Sequence, residues 1–96
     1  MIVVRGVFQA RYGKGNELVQ LLKEARAMWP SERNARIMTD LSGPFFTVVS
    51  EAEYDSFSAW EADAQEIFSD ERFAAFFERM VPLVEGGRRE FYTLVE

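Results

Sequence analysis

Tyr54, Tyr92, Trp60, Asp40 and Glu51 are the side chains of this 96-residue chain best suited to chemistry. A tyrosine can donate a phenolic hydrogen bond to a substrate oxygen or a carbonyl. A buried tryptophan offers a large face and an indole N–H that needs a partner. Asp40 and Glu51 fall on two strands joined by a short hairpin. Close together in an apolar place they would form a carboxylate pair with one raised pKa, a base. Ion pairing with Arg5 or Arg36 is the simpler role. The missing residue types narrow the chemistry further: there is no histidine and no cysteine. A Ser-His-Asp triad, a Cys-His pair, a histidine-ligated zinc and a histidine-ligated haem each need one of them. No metal site and no cofactor are expected.

Composition sets the outer bounds. The length predicts one domain, residues 1–96. The formal net charge is −5. An acidic surface disfavours nonspecific contact with nucleic acid and with anionic membranes, so neither is an expected partner. No apolar run approaches the ~20 residues of a membrane span. Met1–Phe8 is interrupted by Arg5 and lacks a secretory cleavage pattern. A cytoplasmic location is the expectation.

The elements that must position these residues follow from spacing. Ile2–Ala10 is rich in β-branched residues and predicts a strand. Tyr12–Asn16 is turn chemistry, with Asn16 as a helix N-cap. Leu18, Leu21, Leu22, Ala25, Met28 and Trp29 recur at helical spacing, with Lys23, Glu24 and Arg26 on the other face. Pro30 stops that helix. Asn34–Leu41 and Phe45–Tyr54 predict strands joined by the tight Ser42-Gly43-Pro44 connection, hence antiparallel. Asp55-Ser56 caps a helix over Phe57–Phe68, Ser69-Asp70 interrupts it, and Glu71–Met80 resumes it. Pro82 and Gly86-Gly87 close the helical region before a last strand, Arg88–Val95. The order β-α-β-β-α-β predicts an α+β, ferredoxin-like fold: a four-stranded antiparallel sheet with its helices on one face.

Alternation then divides each strand between two faces. Ile2, Val4, Gly6, Phe8, Ala35, Ile37, Thr39, Leu41, Phe46, Val48, Ser50, Ala52, Phe91, Thr93 and Val95 make the helix-covered set. The opposite set mixes Val3, Val7, Met38, Phe45, Val49 and Leu94 with Arg5, Arg36, Arg88, Asp40, Glu51, Glu90 and Tyr92. So much apolar surface is unusual on a solvated face. The expectation is a homodimer, sheet against sheet. Arg5, Arg36, Met38, Asp40, Phe45, Glu51 and Tyr92 would lie at its interface, with the charges paired across the two-fold axis.

The element order, the Phe57-x-x-Trp60 pair and the Ser69-Asp70…Phe73 segment resemble the dimeric α+β barrel superfamily. Within it, Asn34–Thr47 (NARIMTDLSGPFFT) and Gly87-Arg88-Arg89-Glu90-Phe91-Tyr92 resemble NIPSNAP-type proteins. Members of the superfamily include cofactor-free monooxygenases of the antibiotic-biosynthesis type, haem-degrading enzymes, lactone isomerases and proteins of no known activity. The resemblance implies a dimeric barrel and, in the enzymes, a ligand between the sheet and the second helix. Haem degraders use an asparagine, a tryptophan and a histidine. Trp60 matches the tryptophan, whereas Phe8 and Phe77 fall near the other two positions.

Small residues on the helix-covered face (Gly6, Ser50, Ala52, Thr93) oppose Trp60, Phe68, Phe73, Phe76 and Phe77. Two outcomes stay open: interdigitated packing, or a pocket for a small apolar or aromatic ligand. Gly6, Phe8, Ser50, Tyr54, Trp60, Phe77 and Thr93 are the pocket candidates. Arg88-Arg89 beside Gly86-Gly87 lacks the strand–loop–helix context of a phosphate site and is taken as turn and edge charge. The favoured reading is a non-catalytic binding or interaction module. The alternative is a cofactor-independent monooxygenase or isomerase of a small aromatic or polyketide-like compound. There the protein need only bind, orient and deprotonate a reactive substrate.

Overall fold

A computed structural model describes residues 1–30 and 33–95. The chain runs β1 (Ile2–Ala10), α1 (Gly15–Met28), β2 (Arg33–Thr39), β3 (Thr47–Tyr54), α2 (Phe57–Ser69), α3 (Phe73–Met80), a 3-10 turn (Val81–Leu83) and β4 (Val84–Thr93). The strands form one antiparallel sheet in the order β2-β3-β1-β4. This is the ferredoxin-like α+β architecture expected from the element order. Among the described residues no helix is long and apolar enough to cross a membrane.

Helix ends follow local chemistry. In α1, Leu18, Leu21 and Leu22 are buried, the stripe that an i, i+3, i+4 pattern turns to the sheet. The helix starts at Gly15 rather than being capped by Asn16. Gly15 is buried, and a side chain there would meet Phe46 at 3.2 Å. The first turn is therefore held by packing. Ahead of α2, the Ser56 hydroxyl accepts from the Ala59 N–H at 3.1 Å, the expected cap. Asp70 then accepts from the backbone N–H of Arg72 at 2.8 Å, and α3 begins at Phe73.

Several strand boundaries differ from the sequence expectation. Gly86 and Gly87 do not end the helical region; they pair with Gln9 and Phe8 inside β4. A Cβ on Gly87 would stand 2.7 Å from the Val7 carbonyl oxygen, so the close approach of β1 requires glycine. Register shifts just beyond, between Gln9 and Ala10. β3 begins at Thr47, because Phe46 sits at φ 60° and bends the chain. Phe46 packs into the core, while Phe45 lies off the sheet, 68% exposed, edge-on to Tyr12. β2 ends at Thr39, leaving Leu41 exposed in the hairpin rather than under a helix.

The helix-covered face holds two apolar clusters. Ala10, Leu18, Leu21, Leu22, Val48 and Leu83 make one. Val4, Ala52 and Tyr54, with Ile2 and Trp60, make the other. Between them the paired residues Ile37, Ser50, Gly6 and Arg89 cross the sheet in one row. Its two central members, a serine and a glycine, are too small to fill the layer.

Candidate functional site

A cavity of about 370 Å³ opens where that row leaves space. Phe8 and Ser50 form part of its floor on the sheet. Trp29 and Arg26 reach it from α1, Phe73 and Phe77 from α3, and Arg89 from β4. A second recess, of about 390 Å³, shares Phe8, Phe77, Met80 and Arg89 with it and reaches Gly6. The break between α2 and α3, over residues 70–72, explains the location. It divides the cover of the sheet, so that α2 packs over the Val4–Tyr54 end through Trp60 while α3 lies over the Phe8 end.

The aromatic wall is internally braced. Trp29 meets Phe76 edge-on at 5.6 Å, and Phe73 contacts Phe68 at 5.0 Å and Phe77 at 6.0 Å between ring centroids. The Trp29 indole donates to Asp70 Oδ2 at 3.0 Å. The Arg72 guanidinium grips the same carboxylate at 2.7 Å. Hydrogen bonds from the Arg72 side chain and backbone, then from Trp29, hold the Asp70 carboxyl well below the usual carboxylate range. One acidic residue thus ties the end of α1 to the α2–α3 junction.

Arg26 is the polar centre of the cavity. Its Nη2 donates to Ser50 Oγ at 2.7 Å, to the Glu51 carbonyl at 3.0 Å and to the Arg36 carbonyl at 3.3 Å. Its Nε is buried without a partner. Burial pushes its guanidinium pKa down. The sequence pattern placed Arg26 on the far side of the helix from the core. Instead its long stem turns under the last turns of α1 toward the serine, as an amphipathic side chain can.

The sheet's other face carries a ladder of alternating charge. Arg36, Glu51, Arg5 and Glu90 stand in register across β2, β3, β1 and β4. Glu51 is 2% exposed. Arg5 Nε reaches its Oε1 at 2.8 Å and Arg36 Nε its Oε2 at 2.6 Å. Burial pushes the Glu51 carboxyl up, and the hydrogen bonds from Arg5 and Arg36 outweigh it, so its pKa lies below the ordinary value. Glu90 takes Arg88 at 2.6 Å and the Tyr92 hydroxyl at 3.0 Å. Asp40 does not pair with Glu51. Its Oδ1 accepts from the Thr47 N–H at 2.9 Å and closes the hairpin, away from the Arg36–Glu51 pair. Arg5, Arg36 and Arg88 are thus ion-paired to Glu51 and Glu90 within one chain. Beside them Met38, Val49 and Val7 form an apolar row.

No family model and no curated protein matches this chain. Solved structures do. A NIPSNAP family protein from Agrobacterium tumefaciens superposes with a TM-score of 0.87 at 23% identity, over 99% of this chain and 93% of that one. An uncharacterized NIPSNAP domain protein from Burkholderia xenovorans gives 0.84 at 23% identity, over 99% and 95%. A candidate antibiotic biosynthesis monooxygenase from Deinococcus radiodurans gives 0.72 at 18% identity, over 100% and 94%. The chain has the NIPSNAP-like fold.

Within that fold the predicted pocket residues separate into two groups. Phe8, Ser50 and Phe77 line the cavity of about 370 Å³, and Gly6 its neighbour. Tyr54, Trp60 and Thr93 line neither. Tyr54 donates to Asp63 Oδ2 at 2.7 Å in the second cluster. Trp60 packs against Phe57 and Phe91 there, with the Arg89 guanidinium 5.2 Å over its ring. Thr93 is exposed, paired with Ile2 at the sheet's end. Arg26, Trp29 and Arg89 are among the site residues that sequence reasoning missed. For Arg89 the signal was available: it shares the alternation phase of Phe91, which faces the helices.

Proposed function

We propose that this protein is a non-catalytic, dimeric small-molecule-binding module whose ligand lies in the cavity between the sheet and α3. One observation carries the reading. A space of about 370 Å³ is walled by aromatic side chains, within the range of ligand sites. Among the described residues no aspartate or glutamate lines it. A cofactor-independent oxygenase or isomerase would need a base beside its substrate. Neither Tyr54 nor Tyr92 lines the cavity, so binding is the better supported role. The dimer reading rests on the open sheet face, where Met38 and Tyr92 are 37% and 47% exposed next to a charge ladder that needs no solvent counter-ions.

Native mass spectrometry of the freshly purified protein reports subunit count and any retained compound together. Titration with neutral 2-naphthamide, followed by quenching of Trp29 fluorescence, tests the cavity. Saturable quenching that is lost in Ala25→Leu, which fills the space from α1, supports the reading. Quenching unchanged by that substitution, or absence of quenching by both the amide and its charged analogue 2-naphthoate, overturns it. Turnover of a bound aromatic compound would move the protein to the oxygenase class.

A further inference from the structure

Among the described residues the cavity is lined by apolar side chains and by two arginines, Arg26 and Arg89, with no side-chain carboxylate. In a chain of net charge −5, five other arginines are matched, Arg5 and Arg36 to Glu51, Arg72 to Asp70, Arg79 to Glu24 and Arg88 to Glu90, while Arg11 is exposed on the surface. Among the described residues Arg26 bonds only to neutral oxygens, through Nη2 alone. Its Nη1 makes no hydrogen bond to them. Arg89 stands against the Trp60 ring and meets no carboxylate among them. The two arginines come from different layers, Arg26 from α1 and Arg89 from β4, and line the same cavity. Two like charges facing one partly desolvated space disfavour each other until an anion enters.

We propose that the cavity ligand is an aromatic carboxylate, its ring against the Phe73–Phe77 wall and its carboxylate between Arg26 and Arg89. The inference rests on the cavity being a binding site and adds the charge of what it binds. Guanidinium presents paired donors that match a carboxylate's two oxygens. A neutral aromatic would gain the wall but leave both arginines unmatched. The acidic surface elsewhere would not attract an anion, so recognition depends on these two residues.

The test compares 2-naphthoate with 2-naphthamide, nearly identical in shape, by calorimetric titration of the wild type, Arg89→Gln and Arg26→Gln. Wild type is expected to hold the carboxylate roughly tenfold or more tighter than the amide. Each variant should lose most of that preference while its affinity for the amide stays within about twofold. Arg89→Gln alters an exposed side chain, so it keeps the test sound should Arg26→Gln unfold the protein. Equal binding of both compounds to wild type overturns the anion inference and leaves the cavity reading standing. A preference that survives both substitutions also overturns it. If neither compound binds, the cavity reading falls, and the inference with it.

Discussion

Arg5 and Glu51 stand directly opposite each other on paired strands, and the arginine holds one carboxylate oxygen through both Nε and Nη2 at 2.8 Å. Arg36 takes the other oxygen from β2. Three strands are thereby laced by one buried acid. The arrangement also touches the cavity from behind, since the Glu51 carbonyl accepts from Arg26.

Glu51→Gln should destabilise the protein by about 2–3 kcal/mol, because it leaves two arginines facing a neutral group in a largely desolvated place. The lower part of the range for buried pairs applies, since the arginines retain 37% and 58% exposure. Urea unfolding of the two proteins at neutral pH measures it. A change under 0.5 kcal/mol would show that the clamp contributes little.

Asp70 gives the α2–α3 junction a defined pH dependence. Its folded pKa lies below its unfolded value. The stabilisation is therefore complete above the unfolded value near 4 and is lost as pH falls from there toward the folded value. Acid unfolding followed by Trp29 fluorescence should begin below about pH 5. Asp70→Asn should be less stable than wild type at pH 7, and the two should converge as the pH drops. Parallel curves at all pH values would exclude the role.

Gly87→Ala is expected to cost about 2 kcal/mol or more, as overpacking against a backbone atom. A methyl there would meet the Val7 carbonyl at 2.7 Å, and that atom cannot rotate away. Gly86→Ala, where nothing lies within 4 Å, is the control and should change stability by less than about 1 kcal/mol. Thermal unfolding of both variants settles the comparison.

Met38→Asp tests the dimer better than a change at Arg36, whose charge is already matched inside the chain. It places an acid in the apolar row of the open face without touching the helix-covered core. Sedimentation velocity should show weaker self-association, with the far-ultraviolet spectrum unchanged. An unaltered association would mean that the sheets do not meet there.

Val4, Val48 and the leucines of α1 are placed by period alone. A strand repeats every two residues and a helix every 3.6, so an apolar side chain's face follows from its neighbours. Element order, the antiparallel pairing and the faces of β1, β3 and β4 were legible for that reason. So was the Ser56 cap, which depends on four consecutive residues. The sequence also determined the chemistry that is unavailable, through residues it does not contain. Tertiary structure decided the rest. Gly86-Gly87 is turn-like locally, and only the crowding of β1 makes it strand. Phe45 and Phe46 alternate like strand residues, but the bend at Phe46 puts one in the core and the other off the sheet. Asp40 and Glu51 were separable only by register, which the hairpin length sets. Arg26 and Arg89 converge from elements 63 residues apart in number (89 − 26). Arg26 lies near no motif, and Arg89 lies in a stretch taken as turn and edge charge. Their meeting depends on a serine and a glycine lying side by side on paired strands, and on a helix break that carries α3 over the gap. Those are relations between elements, and a one-dimensional pattern holds no distances between them.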